Sequence, residues 1–238
     1  MTVFYTILFS LGDPAKNEYV WCCMLWLKSL YASGTYRKDD RIAILCDSKT
    51  LEHLKTINLF KIAPGLELVD MGNPPRECRD GMEWKYMFRP KVDETVVYAD
   101  TDQIFRRPFH VELPPDSLLV YPEGDIAHSN YRGDYLLRGG QGFTAGIWAY
   151  RPGVKMSEFL DDTLKVCQES TKRFYTLDQP HFNYCIAKNR PNLSLMKKET
   201  ISFNGNNNLK EAHVLNLCGE PGAGAFHFTK MMDLWLLL

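Results

Sequence analysis

Thr95-Val96-Val97-Tyr98-Ala99-Asp100-Thr101-Asp102-Gln103-Ile104-Phe105 is the stretch on which the reading of this chain turns. A run of β-branched and aromatic residues breaks off in two carboxylates one residue apart. Such a run reads as a buried strand. In extended chain, side chains at i and i+2 point to the same side. Asp100 and Asp102 together therefore make a site for a hard divalent cation. Mg²⁺ takes one or two carboxylates plus phosphate oxygens, and Mn²⁺ accepts the same donors. The pair points to chemistry on a diphosphate. Sixteen Asp in 238 residues give about one Asp-x-Asp by chance, so the position of the motif has to carry the argument.

Working back from that strand, the first half alternates. Val3 to Phe9 reads as a strand and Ser10 to Pro14 as a loop. Asn17 to Tyr31 reads as a helix that is apolar almost all round, hence buried on most sides. Arg41 to Cys46 is a second strand ending at Asp47, and Ser48 is placed to cap a helix running to Asn58. Leu66 to Val69 is a third strand, followed by a Gly/Pro loop and a short helix from Met82 to Phe88. The order β-α-β-α-β-α-β with continuous apolar strands predicts a parallel sheet flanked by helices. Open sheets of this kind bind ligands at the carboxyl ends of their strands. Ser10, Asp47 and Asp100 all fall at such ends.

Working forward, the pattern is less regular. Strands are predicted at Leu118 to Tyr121 and Phe143 to Tyr150, after a flexible loop at Gly139 to Gly142. Val154 to Gln168 reads as a helix. Asp178-Gln179-Pro180 opens another, to Lys188, with Asp178 as a candidate cap and Pro in the first turn. Short strands are expected at Leu193 to Met196, Val214 to Leu217 and Ala225 to Phe228, with a turn at Phe203 to Asn207. No repeat, linker or low-complexity segment divides the chain.

Composition narrows the function. The chain is 45% hydrophobic and 24% charged, with a net charge of −1. That is an ordinary globular balance able to bury a sizeable core, without the basic excess of a nucleic-acid binder. Seven scattered Cys, with no C-x-x-C pair, read as free thiols in a reducing compartment. Met1 to Ser10 lacks the basic region and cleavage site of a signal peptide, and no apolar run is long enough to span a bilayer. The expectation is a cytoplasmic protein. The apolar tail Met231 to Leu238 is expected to dock on the domain, with contact to a partner or a membrane surface as alternatives. Oligomeric state is not legible.

Five features occur in order: the alternating first half, Asp100-Thr101-Asp102, Gly142-Phe143-Thr144-Ala145-Gly146-Ile147, Asp178-Gln179, and His227-Phe228. Together they resemble the GT-A glycosyltransferases, and within them the glycogenin-like and galactosyltransferase-like family 8. The resemblance covers residues 3 to 230. It implies an α/β fold of GT-A type: a Rossmann-like, mostly parallel sheet flanked by helices, with a smaller mixed half on the acceptor side. It implies one domain over 1–238, with 1–105 as the nucleotide-binding half and 106–238 as the sugar and acceptor half. The implied activity is transfer of a sugar from a nucleotide-diphosphate sugar, a UDP-sugar, to an acceptor hydroxyl of a glycan or glycoprotein, with retention of configuration.

The resemblance also assigns residues. Asp100, Asp102 and His227 would hold Mn²⁺ or Mg²⁺, and Asp100 with Thr101 would meet the nucleotide. Asp178 and Gln179 would sit beside the transferred sugar as the catalytic pair. Leu8, Ser10, Tyr19 and Asp47 would line the base and ribose, while Lys85 and Lys230 would face Asp100 or the phosphates. Thr144 and Ala145 stand where the family has Asn and Ser, and no Pro-Trp follows Lys230.

Three rivals share parts of this pattern. A haloacid-dehalogenase-like phosphatase would use Asp100 as nucleophile and Asp161-Asp162 as its later acidic pair, but its motif normally opens the domain. A nucleotidylyltransferase would carry a Gly-rich, Arg-containing loop where this chain has Ser10-Leu11-Gly12-Asp13-Pro14. A non-catalytic protein that binds sugar nucleotides would keep the cation site and lack turnover. Were the transfer inverting, Glu123, Asp125 or Asp178 would be candidate bases.

Overall fold

The structure is a computed structural model. It describes residues 1–91, 93–123, 141–171, 174, 176–203, 209–217 and 224–235, the side chains of residues 60, 224–227 and 234 excepted. The expected turn at residues 204–207, residues 139 and 140 of the expected Gly139 to Gly142 loop, Asp125, Cys218 and residues 236–238 of the tail lie outside the described residues.

The first half forms as its alternation predicts. Strands β1 (Thr2–Leu8), β2 (Arg41–Cys46), β3 (Leu66–Asp70) and β4 (Thr95–Ala99) pair in parallel in the order β3-β2-β1-β4. Helix α1 (Glu18–Ala32) follows β1, and α2 (Ser48–Thr56) follows β2. The cap of α2 is Asp47, not Ser48: its carboxylate accepts the Lys49 and Thr50 amides. Ser48 instead bonds Asp70 and the Gly72 carbonyl. The expected helix before β4 splits into α3 (Cys78–Met82) and a 3-10 turn over Glu83–Tyr86.

The second half completes the same sheet. β6 (Ser117–Pro122), β7 (Phe143–Arg151) and β8 (Asn192–Leu195) extend the order to β3-β2-β1-β4-β7-β6-β8, with β7 antiparallel to both neighbours. Helices α4 (Val154–Glu169) and α5 (Gln179–Asn189) cover one face. Buried Asn183 ties α5 to the sheet by exchanging hydrogen bonds with both backbone groups of Phe143. A small sheet, β5-β10-β9, is built from Gln103–Phe105, Val214–Asn216 and Ile201–Phe203.

Helix α1 explains its own composition. Val20, Cys23, Trp26, Leu27 and Leu30 face the large sheet, while Cys22 and Leu25 face a second cluster with Ile104, Leu215 and Met231. That second cluster carries α6 (Gly224–Trp235). The strand expected at Ala225 to Phe228 is therefore the start of a helix. Phe228, Met231, Met232 and Trp235 recur at helical spacing and pack in the α1 cluster, so the described part of the tail docks as expected. No helix among the described residues is long and apolar enough to cross a membrane. The six described cysteines are free thiols.

Candidate active site

Strand β4 stops at Ala99, so Asp100 and Asp102 stand in the turn between β4 and β5 rather than in extended chain. The Asp100 amide still reaches across to β7, donating to the Gly146 carbonyl at 2.8 Å. The turn is thereby fixed at the carboxyl end of the parallel strands. The two carboxyls feel each other. Burial, then the charge of Asp100, pushes Asp102 well above the usual carboxylate range. Asp100 is raised by burial, with Lys85 and the Tyr98 hydroxyl pulling the other way.

Lys85 is the centre of the arrangement. It sits in the 3-10 turn before β4 and its side chain is 1% exposed. Its ammonium lies 3.1 Å from Asp178 Oδ2 and 3.9 Å from Asp100 Oδ1, and donates to the Ala145 carbonyl at 3.3 Å. The Tyr98 ring centroid is 4.9 Å away. Burial alone lowers an ammonium pKa, yet that of Lys85 is raised because Asp178 and Asp100 outweigh the burial. Each carboxylate also takes a phenol: Tyr98 donates to Asp100 and Tyr86 to Asp178. The Tyr5 hydroxyl fixes the Lys85 carbonyl at 2.6 Å. Aromatic packing of Tyr5 on Phe88 and of Trp148 on Tyr86 and Tyr150 makes the floor rigid.

Asp178 occupies the N-cap position of α5 but makes no capping bond. Its carboxylate turns inward to Lys85 and Tyr86 instead. The preceding Leu177 has φ 51, a left-handed conformation unusual for a bulky residue. Strain of this kind persists where the surroundings impose it, and here it accompanies the inward turn of Asp178. Gln179 follows, accepting from the Ala145 amide at 3.1 Å and donating to Glu123 at 2.7 Å.

Gly146 is required by contact rather than by conformation. A Cβ built on it would lie 2.9 Å from Asp100 Oδ2, 3.4 Å from Gln103 Nε2 and 3.5 Å from Asn216 Nδ2. Asp100 and two amide side chains are therefore packed against the Gly146 backbone. Gln103 is wholly buried. Its Nε2 donates to the Gly146 carbonyl at 2.7 Å, and its Oε1 has no hydrogen-bond partner among the described residues.

On the nucleotide side, Ser10 and Asp47 are buried. Asp47 Oδ2 accepts the Ser10 amide at 3.1 Å and the Thr50 hydroxyl at 2.6 Å. Asn17 donates to Ser10 Oγ at 2.8 Å and to the Phe9 carbonyl at 2.9 Å. With four donors on Asp47, this cluster holds the loop after β1 in shape. The Leu8 side chain is part of the core. Tyr19 opens α1 near the acidic turn: burial, then the charge of Asp102, raises its phenol. Thr101 is buried in the turn, and Lys230 lies half-buried on α6.

Neither a family model nor a curated protein matches this chain. Solved structures do. A galactosyltransferase, LgtC, determined with donor and acceptor sugar analogs, is 13% identical with a TM-score of 0.61; the match covers 100% of this chain and 96% of that one. The apo-form glycosyltransferase GlyE of Streptococcus pneumoniae TIGR4 is 14% identical with a TM-score of 0.59, over 100% of this chain and 64% of that one. Mouse xyloside xylosyltransferase 1, also apo, is 10% identical with a TM-score of 0.58, over 92% and 99%.

The chain has the GT-A fold.

Within that GT-A fold, the structure brings together Asp100, Asp102, Lys85, Asp178, Gln179 and, by its electrostatic coupling, Tyr19. It puts Asp47 in a cap and Leu8 in the core. His227 falls in α6, its side chain outside the described residues. Among the described residues no group of three His, Cys, Asp or Glu could hold a metal, so only two members of the expected triad are seen side by side. Asp161 and Asp162, the acidic pair of the phosphatase reading, lie on α4 in surface ion pairs with Arg89 and Lys188, and three strands precede the motif. The sequence reading assigned no role to Tyr86, Tyr98 or Gln103, and Gly146 entered it only as the end of the Gly142-Phe143-Thr144-Ala145-Gly146 motif. Tyr98 carries a local signal, standing two residues before Asp100.

Proposed function

We propose that this protein is a metal-dependent glycosyltransferase. It moves a sugar from a nucleotide-diphosphate sugar, a UDP-sugar, to a hydroxyl of a glycan or glycoprotein acceptor, with retention. The observation that carries this reading is the convergence at one sheet edge. Asp100 from the first half meets Asp178 from the second through one buried ammonium, that of Lys85.

The residues fit a divalent cation. Among the described residues Lys85 pairs with both Asp100 and Asp178, and burial first, then the charge of Asp100, raises Asp102 beside them. The glycine at 146 lets the β7 backbone approach Asp100 Oδ2, where a Cβ would lie 2.9 Å away. Asp100 and Asp102 would hold Mn²⁺ or Mg²⁺, which when bound stabilises the charge developing on a departing diphosphate.

The chain's own residues do the rest. Tyr98 and Lys85 both address Asp100 Oδ1, while Oδ2 faces Gly146. Lys85 and Tyr86 hold the Asp178 carboxyl in place, where it can steady the cationic carbon of the sugar, as in other glycosyl transfer. Gln179 is locked between the Ala145 amide and Glu123, which fixes the carboxylate of Glu123 at the same edge. Ser10, with Asp47 behind it, shapes the loop for the base and ribose; Tyr19, Thr101 and Lys230 complete the donor side.

The test is turnover. Purified protein is incubated with a panel of nucleotide sugars with and without Mn²⁺, and released nucleotide diphosphate is measured. The reading expects Mn²⁺-dependent release from a UDP-sugar in wild type and none in Asp178→Ala. Metal-independent release, or inorganic phosphate as the product, contradicts it.

A further inference from the structure

Helix α3 carries a glycine whose reason lies in its neighbour. Gly81 is buried and sits inside the helix, where glycine is the poorest residue after proline. A Cβ built on it would lie 2.5 Å from both Cδ1 and Cζ of Phe9, and would also strike Cε1. Two carbons sit comfortably no closer than about 3.5 Å, so a methyl there would drive the ring or the helix back by about 1 Å. The Phe9 ring is held from a second side by Trp84, edge to face at 5.7 Å. Phe9 is thus seated both on α3 and on the 3-10 turn that follows it.

Both sides of that contact lead to the site. Phe9 directly precedes Ser10, and its carbonyl accepts Asn17, which also donates to Ser10 Oγ. Trp84 directly precedes Lys85, whose ammonium meets Asp178 and Asp100. At the start of α3, burial and then the charge of Asp178 raise the Cys78 thiol, and Asp100 adds to the effect. The whole helix therefore lies within electrostatic reach of the site. Strand β1 and the residue after it grip this segment at two points. The Tyr5 hydroxyl holds the Lys85 carbonyl at 2.6 Å, and the Phe9 ring holds the helix just ahead of it.

We infer that Gly81 is a positioning residue for Lys85. Its bare backbone lets the Phe9 ring lock α3 onto the loop at Ser10, and so sets where the ammonium stands between Asp100 and Asp178. This rests on the reading of that ammonium and that loop as parts of one site for a sugar nucleotide.

The experiment compares the full chain as wild type, Gly81→Ala, Phe9→Leu, Lys85→Met and the double variants Gly81→Ala/Phe9→Leu and Gly81→Ala/Lys85→Met, with near-UV circular dichroism confirming folding. Urea unfolding comes first and needs no substrate. Gly81→Ala is expected to weaken the pairing that Lys85→Met removes. The two are then non-additive, by about fivefold or more in the unfolding equilibrium constant. The second measurement is kcat and KM for release of UDP from a UDP-sugar with Mn²⁺, taken where every variant is folded. Gly81→Ala is expected to lower kcat about tenfold to a hundredfold, the scale of a 1 Å misplacement, with little change in KM. The same substitution is expected to cost less in the Phe9→Leu background, where Cε1 and Cζ are gone from the clash. Should Gly81→Ala fail to fold, Phe9→Ala, which opens the contact without a clash, replaces it in the cycle with Lys85→Met and in the kinetics, with the same expectations. Additivity with Lys85→Met overturns the inference. So does a wild-type kcat in Gly81→Ala, a loss that falls on KM alone, or an equal loss in both Phe9 backgrounds. UDP release at the wild-type rate by Lys85→Met, or none by wild type, overturns the sugar-nucleotide reading instead, and the unfolding cycle then decides on Gly81.

Discussion

Replacing Lys85 by Met removes a buried cation that pairs with two carboxylates. Lys85 is 1% exposed and pairs at 3.1 Å with Asp178 and 3.9 Å with Asp100. At an effective dielectric near 20, those separations correspond to gross attractions of about 5 and about 4 kcal/mol before desolvation. Most of that attraction offsets the cost of burying the ions. What the substitution exposes is the remainder: two carboxylates left without their counter-charge, which costs about 3–5 kcal/mol. In a domain of this size that lowers Tm by about 6–20 °C. Urea unfolding followed by far-UV circular dichroism measures it directly. The Asp178→Asn single variant and the Lys85→Met/Asp178→Asn double variant close a cycle, and the expected coupling is about 2 kcal/mol. The pH dependence has a definite sign. The folded-state pKa of Lys85 lies above its ordinary 10.5, so its contribution is complete below that value and is lost only as pH rises through the raised one. The penalty of Lys85→Met is therefore flat between about pH 6 and 9, and shrinks only in strong alkali. A loss under about 1 kcal/mol, or strict additivity in the cycle, refutes the claim that this ammonium holds the two halves of the site together.

Gly146→Ala places a methyl 2.9 Å from Asp100 Oδ2; it is expected to cost about 1–3 kcal/mol of stability and to weaken Mn²⁺ binding, read by the loss of free Mn²⁺ signal in electron paramagnetic resonance, and an unaltered affinity counts against the close packing described. Glu83 is buried, and its carboxyl is pushed up to about 7 by burial. Its raised folded pKa adds stability at low pH that is lost as pH rises from about 4.5 through 7. Glu83→Gln is accordingly expected to raise the urea midpoint at pH 8 and to leave it unchanged at pH 4, by at most about 3 kcal/mol; equal effects at both pH values contradict the assignment.

How much of this was legible in the sequence depended on range. The strands β1, β2 and β4 and helices α1, α4 and α5 announced themselves by continuous apolar runs or helical spacing, and the Asp-x-Asp pair by its place after β4. Asp178 was ambiguous, because Asp before Gln-Pro is equally a helix cap. Only the contacts with Lys85 and Tyr86, 93 and 92 positions away, show that the carboxylate faces the site. Ala225-Phe226-His227-Phe228 looked like a strand because a four-residue apolar window has no period; Met231, Met232 and Trp235 are needed to reveal the helix. The small sheet escaped as a unit because β5, β9 and β10 are three residues each, too short for alternation to register. With it escaped Asn216, whose place beside the acidic turn is set by pairing to Gln103 more than a hundred residues earlier. Asp47 was read as a ligand for its position at a strand end, yet the four donors around it show why an acid there also serves to fix a loop.

The central claim is that Asp100 and Asp102 form a cation site that receives a nucleoside diphosphate. Calorimetric titration of UDP into wild type and Asp102→Ala, each with Mn²⁺ and with chelator, tests it most directly. The account requires wild-type binding that depends on Mn²⁺ and disappears in Asp102→Ala, with both proteins folded by near-UV circular dichroism. UDP binding that is equally tight with chelator, or in Asp102→Ala, contradicts it.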